Sequence, residues 1–258
     1  MRPLQWPHVV HSSEEAQMTP EGWVVVLLAA IGVGQLAYWE LVLCEGAHLG
    51  PRVVAATYDW VARRYDADIK HFDPVVESTI LGLPLATALI EVDAPRVLDL
   101  AAGTGRTARA LVRELAFDGS VVNVDLATRM LRTGRDALPA HAAERVGWLR
   151  APVDQLPFAD AAFDAVVCLE ALEFVPDAER VLREALRVLR PCGVLLITHR
   201  VGPYARLILG HYLSRTDFAA LLGRLPLNDI RIERWQVEYD LAWAIRSAES
   251  GERGARGV

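Results

Sequence analysis

The sequence has few cysteines, and their arrangement argues against two kinds of site. Its 258 residues include only Cys44, Cys168 and Cys192, which are scattered along the chain and odd in number. A disulfide framework and a metal site built on cysteine pairs both need a regular, paired spacing. We therefore predict no disulfide framework and no metal site, and a reducing cytoplasm fits the main domain.

The chain also lacks an excess of basic residues. Its 27 Lys and Arg are outnumbered by 33 Asp and Glu, which gives a formal net charge of −6 at pH 7. A nucleic-acid substrate held on a basic face is therefore disfavoured, and we predict no nucleic-acid partner. The length permits one or two domains.

Charged side chains are absent from one segment of the chain, residues 22–39. The whole chain is 52% hydrophobic, and its mean hydropathy of +0.20 is high for a wholly soluble protein. A helix over this run would be ~27 Å long, close to the thickness of a bilayer's hydrocarbon core. Trp23 lies at one end and Tyr38 and Trp39 at the other, as interfacial aromatic residues do. The run predicts a single transmembrane helix or a deep membrane anchor.

Two other interpretations of this run stay open. It is short for a span, so it could be a buried core helix. A signal peptide would need a basic start, whereas Glu14, Glu15 and Glu21 precede the run. If it does span a membrane, the four basic residues within 52–70, against Arg2 before the run, place the C-terminal domain in the cytoplasm.

The rest of the chain is organised around an apolar run that leads into a glycine turn. Val97-Leu98-Asp99-Leu100 predicts a strand, Ala101 to Gly105 a tight turn, and Thr107 to Leu115 a helix. This strand, turn and helix open an α/β nucleotide-binding sheet. Glycine allows the backbone to turn sharply and to approach a ligand without a Cβ in the way.

The glycines alone leave the ligand open. Gly103 to Ala108 also satisfies the dinucleotide pattern G-x-G-x-x-A, so an NAD(P)-dependent reductase is an alternative. Asp99 favours a different ligand, because a carboxylate there would repel a pyrophosphate but attract a sulfonium and an ammonium group. Asp125 ends the next apolar run, at the distance where an acidic residue meets ribose hydroxyls.

With these residues the chain resembles the class I S-adenosylmethionine (SAM)-dependent methyltransferases. Leu98 to Gly105 is similar to their first motif, with Ala101 where glycine is commonest, and Tyr-Asp…Tyr-Asp over 58–66 resembles the entry segment of quinone C-methyltransferases and bacterial phospholipid N-methyltransferases. The resemblance implies a doubly wound, seven-stranded Rossmann-like sheet and SAM as cofactor. It implies cofactor contacts from Tyr58, Tyr65, Asp99, Ala101, Gly103, Thr104, Gly105, Asp125, Leu126, Met130, Asp154, Gln155 and Leu169.

Three later residues bear on adenine binding and on chemistry. The resemblance implies that Asp154, after the third predicted strand, accepts a hydrogen bond from the adenine amino group. Phe174 stands where many small-molecule enzymes of the class have histidine, which suggests a more apolar pocket. His199, at the end of the fifth predicted strand, is a candidate base, with a surface or capping role as the alternative. We assign no catalytic residue from the sequence.

Two further patterns concern the end of the domain. Pro191-Cys192-Gly193 is expected to end the helix over 177–189, before a strand over 194–198. Ile230 to Trp235 and Val237 to Ile245 predict an antiparallel pair of strands at one end of the sheet.

The predicted organisation is an arm over 1–21, a membrane helix over 22–43, a methyltransferase domain over 52–246 and a flexible tail over 247–258. We expect a membrane-anchored methyltransferase with a lipophilic acceptor, a phospholipid headgroup amine ahead of a quinone or isoprenoid ring. Leu207 to Leu209, with nearby arginines, are expected at the lipid headgroup boundary. The alternative function is an accessory subunit of a membrane protein complex, joined through the N-terminal helix.

Overall fold

The computed structural model describes residues 19–248. Most of the predicted arm over 1–21 and of the predicted tail over 247–258 therefore lie outside the described residues. Contacts within the chain define two compact units, which divide between Trp39 and Glu40.

The described part of the first unit is one helix, α1 (Pro20–Tyr38). The Thr19 hydroxyl caps it by accepting a hydrogen bond from the Gly22 amide at 3.2 Å, and Pro20 occupies the first turn, where its missing N–H is not needed. None of the helix residues is buried. Among the described residues, the helical run Pro20–Leu43 is long and apolar enough to cross a membrane.

The second unit is built on a seven-stranded sheet with the order β3-β2-β1-β4-β5-β7-β6. Strands β1 to β5 pair in parallel, and β7 is antiparallel to both β5 and β6. The predicted doubly wound, seven-stranded sheet with an antiparallel pair at one end is confirmed. The strands are β1 (Arg96–Leu100), β2 (Ser120–Asp125), β3 (Val146–Arg150), β4 (Phe163–Cys168), β5 (Leu189–Arg200), β6 (Leu227–Gln236) and β7 (Tyr239–Arg246).

Helices and short helical turns surround the sheet. The α-helices of the second unit are α2 (Pro51–Val61), α3 (Pro74–Glu77), α4 (Leu83–Ala88), α5 (Arg106–Leu111), α6 (Thr128–Ala137), α7 (Ala178–Val188) and α8 (Arg215–Gly223). The π-helical turns are Trp39–Leu43, Tyr65–Ile69 and Ser78–Gly82, and the 3-10 turns are Ala47–Leu49, Ala140–Arg145, Leu172–Phe174 and Pro203–Leu207.

The two faces of the sheet have separate apolar cores. On β1, Leu98 and Leu100 pack in one core together with residues of α7 and α8, whereas Val97 packs in the other with residues of α4 and α5. Successive side chains of a strand point to opposite faces, and here both faces are covered. This explains why the central strands read as nearly continuous apolar runs.

One predicted helix end and one predicted strand start are wrong. Helix α5 ends at Leu111 rather than at residue 115. Helix α7 ends at Val188, next to its predicted end, but β5 begins at Leu189 rather than at residue 194, so Pro191-Cys192-Gly193 lies inside the strand. Leu189 already pairs with Phe163 of β4, and the register then shifts before Val194. Proline lacks a backbone donor and Cys192 has φ +63°, so these residues bulge out of the ladder instead of ending a helix.

The segment that follows α1 packs inside the second unit. Cys44 is fully buried there, and Glu40 and Ala47 are also buried. The predicted domain range of 52–246 stays a prediction, and these contacts favour a domain that begins near residue 40.

Candidate active site

A cavity of about 300 Å³ lies at the carboxyl ends of the central parallel strands. In doubly wound sheets, ligands bind at this edge, where the strand order reverses between β1 and β4. All but two of the predicted cofactor residues line the cavity. The lining members are Tyr58, Tyr65, Asp99, Ala101, Gly103, Thr104, Asp125, Leu126, Met130, Asp154 and Leu169.

Gly105 and Gln155 are the two predicted residues that do not line the cavity. Gln155 is exposed. Gly105 has φ +72°, and a Cβ added to it would lie 2.5 Å from the Trp148 ring. The two glycines are therefore needed for different reasons. Gly105 makes room for the Trp148 ring, whereas Gly103, at φ +54°, leaves space beside the Met130 side chain in the cavity.

We call the carboxyl ends of β1 to β3, with the turns that follow them, the strand-edge wall of the cavity; its carboxylates are Asp99, Asp125 and Asp154. Asp99 is 2% exposed. Burial raises the pKa of the Asp99 carboxyl to about 7, and the charge of Asp125 adds to the shift, while Thr107 and Arg106 oppose it. A buried acid with such a pKa gains from a cationic partner, which would restore its ionised form.

Asp125 shapes the turn after β1 as well as lining the cavity. One of its carboxylate oxygens accepts the Gly103 amide at 2.8 Å and the other accepts the Ala127 amide at 2.7 Å. Burial raises the pKa of Asp125, and these two amides oppose the shift. Asp154 is half-buried at the end of β3 and forms an ion pair with Arg180 at 3.3 Å.

The opposite side of the cavity, which we call the covering wall, is aromatic and comprises Tyr58, Tyr65, Phe72 and Phe174. The ring centroid of Tyr58 lies 5.7 Å from that of Tyr65 and 6.0 Å from that of Phe174. Burial raises the pKa of both tyrosines well above its usual value. The Tyr58 hydroxyl donates to the Glu45 carboxylate at 2.5 Å.

The two aspartates of the Tyr-Asp…Tyr-Asp segment fasten the covering wall to the domain. Asp59 accepts the backbone amides of Arg129 at 2.5 Å and Met130 at 3.4 Å, which caps α6 from a distant part of the chain. Asp66 accepts the Thr104 hydroxyl at 2.5 Å and pairs with Arg109 at 2.6 Å. In this segment the tyrosines therefore line the cavity and the aspartates hold them there.

Comparisons with known proteins agree with this geometry. Residues 98–197 match the family model described as a methyltransferase domain. Over these residues the chain is similar to methyltransferase domains. The matches favour this interpretation of the glycine turn over the dinucleotide-binding one.

Several curated relatives are named for quinone biosynthesis. The ubiquinone/menaquinone biosynthesis C-methyltransferase of Pseudomonas paraeruginosa is 34% identical over 145 residues, which cover 55% of this chain and 57% of that protein. Its counterpart in Pseudomonas savastanoi pv. phaseolicola is 36% identical over the same length. The chain thus matches little more than half of these relatives.

Solved structures share the fold at low sequence identity. The SAM-dependent methyltransferase from Mesorhizobium loti superposes with a TM-score of 0.52 and 21% identity, covering 63% of this chain and 96% of that chain. The enzyme of the same description from Aquifex aeolicus gives a TM-score of 0.53 and 16% identity, covering 68% and 99%.

Sequence reasoning missed a charged cluster beside the glycine turn. Arg106 is buried, pairs with Glu77 and donates to Glu170 at 2.8 Å. Its guanidinium lies 4.7 Å from the Phe72 ring centroid and 4.6 Å from that of Trp235. The only hint of this cluster in the sequence was Arg106 itself, which directly follows the glycine turn. The strand, turn and helix pattern needs no arginine at that position, because any residue that can begin a helix would fit.

His199 is not among the residues that line the cavity. Its Nε2 atom lies 2.8 Å from the Leu213 carbonyl oxygen, and its ring stacks on Phe218 at 4.4 Å. Burial lowers the pKa of His199. This environment supports a packing role rather than the role of a base in methyl transfer.

Proposed function

We propose that this protein transfers the methyl group of SAM to a lipophilic acceptor at a membrane. The observation that carries the proposal is the two-sided cavity, with three carboxylates on the strand-edge wall and four aromatic rings on the covering wall. The curated relatives put a quinone-type ring first among acceptors, and a phospholipid headgroup amine comes second.

The strand-edge wall fits SAM in its donor set. Asp99 supplies a buried carboxylate for the amino-acid ammonium, Asp125 one for the ribose hydroxyls, and Asp154 one for the adenine amino group. Arg106 adds little free positive charge to repel the sulfonium, because Glu77 and Glu170 both pair with it. When bound, SAM supplies an electrophilic methyl group, and the protein's main contribution is to align the acceptor with it.

The covering wall fits an apolar, planar acceptor. Pro51, Val54 and Ala55 of α2 extend the aromatic surface of Tyr58 and Phe174. Aromatic rings pack well edge-to-face against one another, as Tyr58 and Phe174 already do at an interplanar angle of 70°. A quinol-type ring would find similar contacts between them.

The membrane part of the proposal depends on α1. Its apolar side chains are exposed, as Leu28 at 62% and Val33 at 68% illustrate, which supports an anchor more than a buried core helix. The expected contact of residues 207–209 with lipid headgroups is less well supported. Ile208 is fully buried, and Arg215 pairs with the buried Asp240 at 2.5 Å.

The test uses the purified full-length protein in lipid nanodiscs, with methyl-labelled SAM. Calorimetry should show binding of SAM and of its demethylated product but not of NADH, and Asp99→Asn should lose that binding. Asp118→Asn is the matched control, since Asp118 is exposed and does not line the cavity. Binding of NADH instead of SAM would contradict the proposal.

The acceptor is identified by supplying quinols and phosphatidylethanolamine in separate nanodisc preparations and following label in each by mass spectrometry. Label in the quinol supports the first choice, and label in the phospholipid replaces it with the second. SAM binding with no label in either lipid would favour the accessory-subunit alternative. A variant lacking residues 1–39 should bind SAM in solution but should leave the membrane fraction.

A further inference from the structure

Three metal-binding side chains converge in the segment that directly follows α1. The candidate ligand atoms of Glu40, Cys44 and His48 all lie within 4.8 Å of one another. Cys44 is fully buried, Glu40 is 7% exposed, and the Glu40 carboxylate lies 2.7 Å from Nδ1 of His48. No function proposed above uses these residues.

We propose that Glu40, Cys44 and His48 bind a zinc ion. The donor set selects the metal, because zinc accepts thiolate, imidazole and carboxylate ligands alike. Magnesium and calcium prefer oxygen ligands, and the soft copper(I) ion prefers sulfur ligands to a carboxylate. The cysteine spacing failed to indicate this site because only one of the ligands is a cysteine.

Zinc binding displaces the thiol proton of Cys44. Without metal, the Cys44 thiol donates a hydrogen bond to the Leu207 carbonyl oxygen at 3.3 Å. On binding, the thiol proton leaves to solvent, His48 carries its ring proton on the nitrogen that does not bind zinc, and zinc–sulfur, zinc–nitrogen and zinc–oxygen bonds form. Zinc bonds of ~2.0–2.3 Å need only small movements of these three donors.

His211 lies beside these three residues, and we infer that it supplies the fourth ligand after a side-chain movement. Its ring centroid lies 6.1 Å from that of His48, at an interplanar angle of 87°. Its Nδ1 lies 3.0 Å from the Val175 carbonyl oxygen, so Nδ1 carries the proton and Nε2 keeps a lone pair. Zinc-binding histidines commonly donate their second nitrogen to a carbonyl in this way.

The zinc ion would join two segments next to the cavity. Residues 40–48 follow α1, His211 lies in the loop before α8, and its partner Val175 lines the cavity. The site would therefore hold the covering side of the cavity together without touching the strand-edge wall.

The experiment measures metal in full-length protein purified in detergent without chelators. We expect about one zinc per chain by mass spectrometry, and a cobalt-substituted sample with the absorption band of a cobalt–thiolate bond. Cys44→Ser and His48→Gln should each lower zinc to about a tenth of that content or less. Cys192→Ser is the matched control, because Cys192 is exposed and distant in sequence from the cluster.

SAM binding and the melting temperature are measured on every variant, so that loss of zinc is separated from loss of folding. A folded Cys44→Ser variant with wild-type zinc content, or a wild-type protein that takes up no zinc when micromolar zinc is added, would overturn the proposal. His211→Gln should weaken zinc affinity by about tenfold or more, and an unchanged affinity would overturn the assignment of the fourth ligand. None of these readouts depends on methyl transfer.

Discussion

The two walls of the cavity have different origins in the sequence. On the strand-edge wall, Asp99 lies in β1 and Asp125 ends β2, each directly after an apolar run that is visible in the sequence. The covering wall comes mostly from the chain before β1, and contacts between distant residues hold it. Arg106, for example, joins Glu77 and Glu170, which are 29 and 64 residues away. Short-range sequence patterns therefore predict the strand-edge wall, whereas contacts between distant residues form the covering wall.

The largest expected effect on stability comes from removing the buried ion pairs of Arg106. Arg106→Met removes the shared partner of Glu77 and Glu170. It leaves the buried Glu77 carboxylate uncompensated, whereas Glu170 keeps its ion pair with Lys70. We expect a loss of about 3–5 kcal/mol in the free energy of unfolding, measured by urea denaturation. Arg113→Met on the exposed side of the same region should change it little. Equal stability of the two variants would show that the buried cluster does not stabilise the fold.

The second effect separates the two glycines of the cofactor turn. Gly105→Ala places a Cβ against the Trp148 ring in a left-handed conformation, and we expect it to cost roughly 2–4 kcal/mol of unfolding free energy. In Gly103→Ala the new Cβ lies 3.2 Å from the flexible end of Met130, inside the cavity. This variant should lose SAM affinity more than stability, as calorimetry and thermal denaturation would reveal. The reverse ranking would contradict the assigned roles.

The glycine pair illustrates what the sequence could and could not specify. The motif predicted the turn, its place at the strand edge and the carboxylates beside it, because all of these depend on neighbouring residues. It could not show that Gly105 faces Trp148, which comes from β3. The sequence likewise could not identify the partners of Arg106 and Glu45, because those partners are distant in the sequence and only the folded structure brings them close.

The covering wall was predictable only in part. The resemblance implied that Tyr58 and Tyr65 act together, but α2 ends at Val61 and Tyr65 begins a π-helical turn. Tertiary contacts bring the two rings together across this break. Asp59 and Asp66 could not be distinguished from ordinary solvent-exposed acids, because their partners lie 70 and 38 residues further along the chain.

The third prediction concerns the pH dependence of cofactor affinity. The pKa of Asp99 is about 7 in the free protein, so the carboxylate is increasingly neutral as the pH falls below 7. If the ionised form binds the ammonium of SAM, the dissociation constant should rise by up to about tenfold per pH unit below 7. Calorimetry between pH 5 and 8 measures this slope. A dissociation constant that stays the same between pH 5 and 7 would contradict this role for the Asp99 carboxylate.

The same carboxyl should affect stability with the opposite trend. Its folded-state pKa of about 7 exceeds the ordinary value of 3.8, so the folded protein holds this proton more tightly than the unfolded chain. Asp99 therefore costs stability as the pH rises from about 4 to 7, and the cost is complete above 7. Asp99→Asn should melt higher than the wild type at pH 8, by a few degrees, with the gap shrinking towards pH 4. A gap that widens towards pH 4 would contradict this sign.

The smallest expected effect distinguishes two helix N-caps, one from a residue distant in the sequence and one from the residue next to the helix. Asp59 caps α6 from α2, whereas Ser214 caps α8 from the adjacent position and forms a reciprocal capping box with Asp217. Each alanine substitution should cost about 1 kcal/mol of unfolding free energy, since each removes one side-chain cap.

Only Asp59→Ala also releases part of the covering wall, because α2 carries Tyr58 into the cavity. We therefore expect weaker SAM binding in Asp59→Ala and unchanged binding in Ser214→Ala, measured by calorimetry at matched fractions of folded protein. If both variants bind SAM like the wild type, α2 is held in place without Asp59, and the aromatic packing of Tyr58 against Tyr65 and Phe174 is then sufficient to seat the covering wall.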